Sequence, residues 1–223
     1  MIMSAAPPAT LTWEGVTARR MARHALAEPV TELGLAGIAG VLCGAHAQVL
    51  SAAELSIGRR IAGATRADVQ RALWQDRMLV KTFGPRGAGL EQVHLDGKPA
   101  WIVADDTGTP PEPHRGLRLL PYFDAYVVAG QPRHRLYPGP AAARALTPAG
   151  QAGNYPVLLI DGVVGGVWYQ RRSGRKLTIT VEPLRELTAA QLRQLDDEIA
   201  LVGTVMEATA TLTLGLVTVG AHA

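Results

Sequence analysis

The hydrophobic pattern of this chain changes character just after Arg86, from mainly helical to mainly β, and that switch limits the folds open to it. Before it, apolar residues recur at helical spacing. Trp13, Val16, Met21 and Leu26 predict a first helix over 13–26, with Arg19, Arg20 and Arg23 on its other faces. An Ala- and Gly-rich stretch predicts a second helix over 34–43, whose small residues permit close packing but lower its propensity. Ser51-Ala-Ala-Glu54 has the form of a capping box and predicts a third helix starting near Ala52. Thr65-Arg-Ala-Asp68 has the same form with Asp as the acid, and opens a fourth helix over 66–75 that buries Val69, Ala72 and Leu73. The β-prone run 78–83, closed by Gly84-Pro85, completes this half.

Beyond the switch the pattern is β-rich. Residues 89–105 read as a hairpin around Asp96-Gly97, followed by a Pro-rich connector over 107–116. Strands are expected over 117–128, 157–160, 163–169 and 176–182, with Asp161-Gly162 as a tight turn. Thr188-Ala-Ala-Gln191 caps a helix whose Leu192, Leu195, Ile199, Val202 and Met206 share a face, and the tail over 211–219 is β-prone. Short helices, then a strand and a Gly/Pro turn, follow the order of a winged helix. The expected class is therefore α+β: an N-terminal winged-helix-like helical unit over 12–87, then a β-rich C-terminal domain over 90–220 with one amphipathic helix.

Composition removes several alternatives. Of 223 residues, 48% are apolar and 18% charged, a globular balance. The one cysteine, Cys43, leaves no intramolecular disulfide and suits a reducing compartment. The opening MIMSAAPPAT has neither the positive charge nor the apolar run of a signal peptide, and no stretch approaches a membrane span, so a cytoplasmic protein is expected. The histidines show no metal-ligand spacing and the glycines form no phosphate loop, so neither a metal nor a cofactor is expected. Trp13, Trp74, Trp101 and Trp168 read as core anchors. Residues 1–89 hold 10 Lys/Arg against 6 Asp/Glu, whereas the remainder holds 12 against 13. A basic half of this kind can supply sequence-independent attraction to DNA phosphates.

Two blocks carry a resemblance. CGAHAQVLSAAEL with VQRALWQDRMLVKTFGPRG, and LRLLPYFDAYVVAGQPR with GNYPVLLIDGVVGGVW and VEPL, together resemble the winged-helix DNA-binding family that contains the AlkZ-type and YcaQ-type DNA glycosylases. The resemblance touches most of the chain, and LLPYFD with LIDGVVGGVW is its most specific part. It implies a double-stranded DNA partner and glycosylase chemistry on alkylated or crosslinked bases. The alternatives are a catalytically silent DNA-binding or regulatory protein and an inactive shortened member. Many members carry glutamine where this chain has His46, and members are usually longer between the two blocks, so the resemblance also implies an internal deletion.

The resemblance points to His46 and Gln48 as the catalytic pair. Two residues apart in one continuous helix, they would point about 200° from each other; the Ser51 capping box instead predicts that they lie in a bend between helices. There a neutral imidazole can take a proton from water while the amide orients that water. A polar cap at a helix junction is the competing reading. The basic set Arg59, Arg60, Arg66, Arg71, Arg77, Lys81 and Arg86 offers phosphate contacts; Arg66 and Arg71 on the recognition-type helix and Lys81 and Arg86 at the wing tip are the favoured DNA-binding residues. An ordinary solvated helix face is the alternative. Asp124 reads as a structural cap for nearby amides. Arg133, Arg135 and the 171–176 loop are further candidates for backbone contact.

Overall fold

In a computed structural model, the protein is described over residues 10–79, 90–95, 98–103, 108 and 115–219. Helices dominate its N-terminal part and a five-stranded sheet its C-terminal part, in agreement with the α+β expectation.

Helix α1 spans Trp13–Arg23 and is capped by Thr12, whose side chain accepts from the Gly15 amide at 3.1 Å. It stops short of Leu26 because Ala25 adopts a left-handed backbone (φ 49) and the Leu26 amide donates back to the Met21 carbonyl at 2.8 Å. This closing turn folds Leu26 into the core. Helix α2, Leu35–Val41, ends in the same way: Cys43 is left-handed (φ 52) and the Gly44 amide reaches the Ala39 carbonyl. Helix α3, Leu50–Gly58, starts from Val49 with no side-chain cap. The capping box expected at Ser51 is therefore not formed, and Ser51 lies inside the first turn. Every residue from Ala52 to Gly58 is buried, so tertiary packing holds this helix. Helix α4, Arg66–Trp74, does have its capping box, with Thr65 and Asp68 bonded reciprocally. Met78 and Leu79 lie outside any strand, and the rest of the expected 78–83 strand falls outside the described residues.

Strand β1 (Thr10–Leu11) runs parallel to β2 (Leu90–Leu95), which pairs antiparallel with β3 (Lys98–Val103). The main sheet has the order β4-β5-β6-β7-β8, comprising Leu117–Leu120, Val157–Ile160, Val163–Ser173, Lys176–Pro183 and Thr209–Leu214. Asp161 and Gly162 both have positive φ (53 and 82), as the tight β5–β6 hairpin requires. β8 runs parallel to β7. That pairing needs a crossover, and helix α8 (Ala189–Val205), capped by Thr188 and Gln191, provides it.

The sheet is buried on both faces. Val157 and Leu159 join Met21 and Leu26 in one core, while Leu158 and Ile160 join Leu55 of α3 and Leu195, Ile199 and Val202 of α8 in another. A continuous apolar run such as Val157–Ile160 is what such a strand needs. A third core, including Ile38, Leu42, Ile57, Val69 and Ala72, packs the small helices together.

The strand expected over 117–128 is shorter than its apolar character suggests. Pro121 offers no amide to a ladder, and β4 ends at Leu120. Phe123 then takes a left-handed backbone (φ 55), and Asp124 caps the short helix α5, Ala125–Val128, by accepting from the Tyr126 amide at 3.1 Å. Helix α6 (Arg133–Leu136) and helix α7 (Pro140–Ala145) complete the connection to β5.

Candidate active-site groove

A groove of about 810 Å³ lies where the α2–α3 connector, α3, α4 and α5 meet. That size suits a ligand cleft. Its wall is largely apolar, with Ile57, Val69, Leu73 and Leu79 on one side and Phe123, Ala125 and Val128 on the other. His46 and Gln48 both lie in the connector, both are exposed, and both line this groove. They are the polar exceptions in the wall. The His46 imidazole packs on the Phe123 ring with centroids 4.6 Å apart and planes tilted by 31°. The two sequence blocks thus meet at this contact.

A buried ion pair holds the Phe123 wall in place. Arg60, fully buried just after α3, donates to Asp124 through Nη1 (2.9 Å) and Nη2 (2.8 Å), and Ser56 Oγ adds a bond of 2.7 Å. Arg60 Nε also donates to the His24 carbonyl at 2.7 Å, which joins the end of α1 to the same knot. Burial alone would raise the Asp124 carboxyl, but the Arg60 charge and hydrogen bonds, with Ser56 and the Tyr126 amide, hold it down at about 2. Burial and the neighbouring Arg60 charge depress His24 to about 4, so it is neutral at pH 7. The arrangement fixes Phe123 beside His46 as a rigid corner.

The arginines expected to reach DNA divide by burial. Arg59 and Arg60 are 3% and 0% exposed, so both leave the DNA-facing set. Arg59 donates to Glu198 Oε2 at 2.9 Å and to the Leu119 carbonyl, and the same carboxylate accepts from the Leu119 amide at 2.8 Å. Charges taken out of water need such partners, and the carboxylates of α8 and the 121–124 turn provide them. Arg19 is also buried, and Arg20 lies 4.8 Å from the Tyr126 ring centroid while donating to the Tyr126 carbonyl. Arg66 sits in the first turn of α4, 3.4 Å from buried Glu54. Arg71 is exposed and bonded to Asp68 at 2.6 Å. Lys81 and Arg86 lie outside the described residues. Arg133 donates to the Val127 and Val128 carbonyls, Arg135 lies over Trp13, and Arg172 donates to the Met206 carbonyl.

Two groove residues escape a reading by motif. Phe123 sits inside LLPYFD, but only the fold shows that its ring meets His46. Trp74 was expected in the core and is instead 62% exposed at the groove wall. A helical wheel carries the signal: five residues after Val69, Trp74 is turned about 140° from the buried face of α4. Trp168, by contrast, is the anchor expected, 1% exposed with its indole donating to the Leu120 carbonyl at 2.8 Å. Among the described residues no helix is long and apolar enough to cross a membrane, and no group of three or more His, Cys, Asp or Glu is placed to hold a metal ion.

The fold matches that of the DNA glycosylase AlkZ of Streptomyces sahachiroi with a TM-score of 0.63 at 16% identity, covering 92% of this chain and 100% of that one. The family model described as DNA glycosylase AlkZ-like matches residues 88–205, and the chain belongs to that family. A relative named interstrand DNA cross-link repair glycosylase, also from Streptomyces sahachiroi, is 42% identical over 76 residues, or 34% of this chain. That stretch spans 20% of the relative's own length. The matched 88–205 region contributes the Phe123 wall of the groove, whereas His46 and Gln48 come from the helical part before it.

Proposed function

We propose that this protein is a monofunctional DNA glycosylase acting on alkylated or crosslinked bases in double-stranded DNA, with His46 and Gln48 as its catalytic pair. The observation that carries the reading is the convergence of both side chains on one otherwise apolar groove, with the His46 ring set against Phe123. The reaction asks little of the protein. A cationic alkylpurine leaves with the electron pair of its glycosidic bond, and the sugar becomes oxocarbenium-like. Gln48 hydrogen-bonds the attacking water through its amide. As that water's oxygen bonds to the sugar C1′, the His46 imidazole accepts its proton. No metal or cofactor enters the balance.

Arg66, Arg71, Lys81 and Arg86 are the proposed phosphate contacts. The exposed Arg71 pair with Asp68 is weak enough to exchange for a phosphate. Because members of the family are usually longer between the two blocks, the isolated chain is expected to hold DNA loosely and excise slowly. Misplacing the reacting atoms by about 1 Å can cost about 100-fold in rate.

The test is an abasic-site cleavage assay on methylated duplex DNA, run with wild type, His46→Ala and Gln48→Ala. The expected result is slow formation of abasic sites that either substitution lowers further. Excision that survives both substitutions would remove the groove from the mechanism. Duplex binding without excision would favour the silent DNA-binding alternative.

A further inference from the structure

We infer that Trp74 is a base-stacking residue, which takes the face of an unstacked nucleobase at the mouth of the groove. The inference rests on the DNA-directed reading of that groove and adds to it the contact that grips the nucleotide.

Trp74 closes helix α4 and is 62% exposed, while sharing the groove wall with His46 and Gln48. Among the described residues no ring or cation stacks on it: the aromatic contacts join His24 to Tyr126, His46 to Phe123 and Tyr122 to Phe123, and the cations lie over Tyr126, Trp13 and Tyr155. The Phe123 face is already engaged by His46, so Trp74 is the groove aromatic with a face to offer. Leaving a large ring in water forfeits the burial that tryptophan usually obtains.

The surroundings favour a nucleic-acid base over an apolar protein segment. Arg71 lies three residues before Trp74, hence on the same side of α4, and its guanidinium is exposed. A stacking ring beside a cation is the combination that holds an unpaired base and its phosphate. The Asp68 and Asp76 partners of Arg71, at 2.6 and 3.8 Å, are themselves partly exposed, so a phosphate can replace them at small cost. The polar pair in the same wall would then face the sugar of the stacked nucleotide. A fully paired base inside a duplex hides both faces, so the contact should discriminate between paired and unstacked positions.

The experiment compares the full chain on two labelled duplexes by fluorescence anisotropy: one fully paired, the other identical but for a single unpaired adenine. Wild type should prefer the bulged duplex by about 5- to 150-fold, the worth of one base–aromatic stack. Trp74→Ala should abolish that preference while leaving affinity for the paired duplex within about 2-fold and the salt slope unchanged, because an uncharged contact releases no counterions. Trp74→Phe, which keeps an aromatic face, should retain most of the preference. A bulge preference that persists in Trp74→Ala, or is absent from wild type that still binds paired DNA, would overturn the assignment and leave the DNA-binding reading intact. Failure of wild type to bind either duplex would overturn both.

Discussion

Replacing Asp124 with asparagine removes one negative charge from a site that water does not reach. Arg60 and Asp124 are both fully buried, and the carboxylate accepts from Arg60 twice, from Ser56 and from the Tyr126 amide. The amide keeps the shape but leaves the Arg60 guanidinium uncompensated, and breaking a buried pair from one side costs about 3–5 kcal/mol. That is a large fraction of the roughly 5–15 kcal/mol that holds an ordinary domain. Urea denaturation followed by circular dichroism should show Asp124→Asn unfolding at a much lower midpoint with an unchanged slope. Arg60→Met should be similarly damaging. The double variant Arg60→Met/Asp124→Leu should recover at least about 2 kcal/mol of the summed loss, because it buries no unpaired charge. A loss below about 1 kcal/mol for Asp124→Asn, or strict additivity in the double variant, would refute the claim that this pair fixes the Phe123 corner.

Acid should act on the same knot in two stages. His24 is held at about 4 against an ordinary 6.5, so the unfolded chain binds the extra proton between those values. Stability should therefore fall by about 3 kcal/mol as pH drops from 6.5 to 4, and His24→Phe should flatten that slope in pH-dependent denaturation. Asp124, held at about 2 against 3.8, adds about 2 kcal/mol that is present above pH 3.8 and lost as pH falls through 2. Thr65→Ala and Thr188→Ala should each cost about 1 kcal/mol as lost helix caps, whereas Ser51→Ala should cost less than about 0.5 kcal/mol, a contrast readable from thermal midpoints. A methyl group at Gly58 would sit 2.6 Å from Val205 Cγ1, so Gly58→Ala should destabilise by about 1–3 kcal/mol and Val205→Ala should restore part of the loss. If Lys81 and Arg86 contact phosphate, replacing both should weaken duplex binding regardless of sequence and flatten its salt dependence.

Local chemistry was legible wherever a single stretch of chain decides the outcome. The capping boxes at Thr65 and Thr188, the Asp161-Gly162 hairpin and the α8 face from Leu195 to Met206 are all set by residues within a few positions of each other, whereas Leu192, expected on that face, is 37% exposed in the first turn. The Ser51 motif misled because Ala52–Gly58 is packed on every side, and that packing sets where α3 begins. Helix α1 and α2 ended early because Ala25 and Cys43 accept left-handed backbones that their residue types rarely signal. Burial of Arg59 and Arg60 could not be read, since their partners Glu198 and Asp124 are distant in sequence and meet them only across the sheet and the 121–124 turn. His46 and Gln48 lie between α2 and α3 as expected, although the Ser51 box from which that place was read is not formed. The Phe123 wall opposite them required the fold.

The proposed role of the groove is tested most directly by single-turnover release of a methylated purine from duplex DNA, measured for wild type, His46→Gln and Gln48→Ala. His46→Gln, which lacks a nitrogen able to accept the water's proton, should slow release at least about 100-fold. Gln48→Ala should slow release at least about 100-fold, the lower range for loss of a positioned polar group acting on the transition state. Release at the full wild-type rate in both variants would contradict the account.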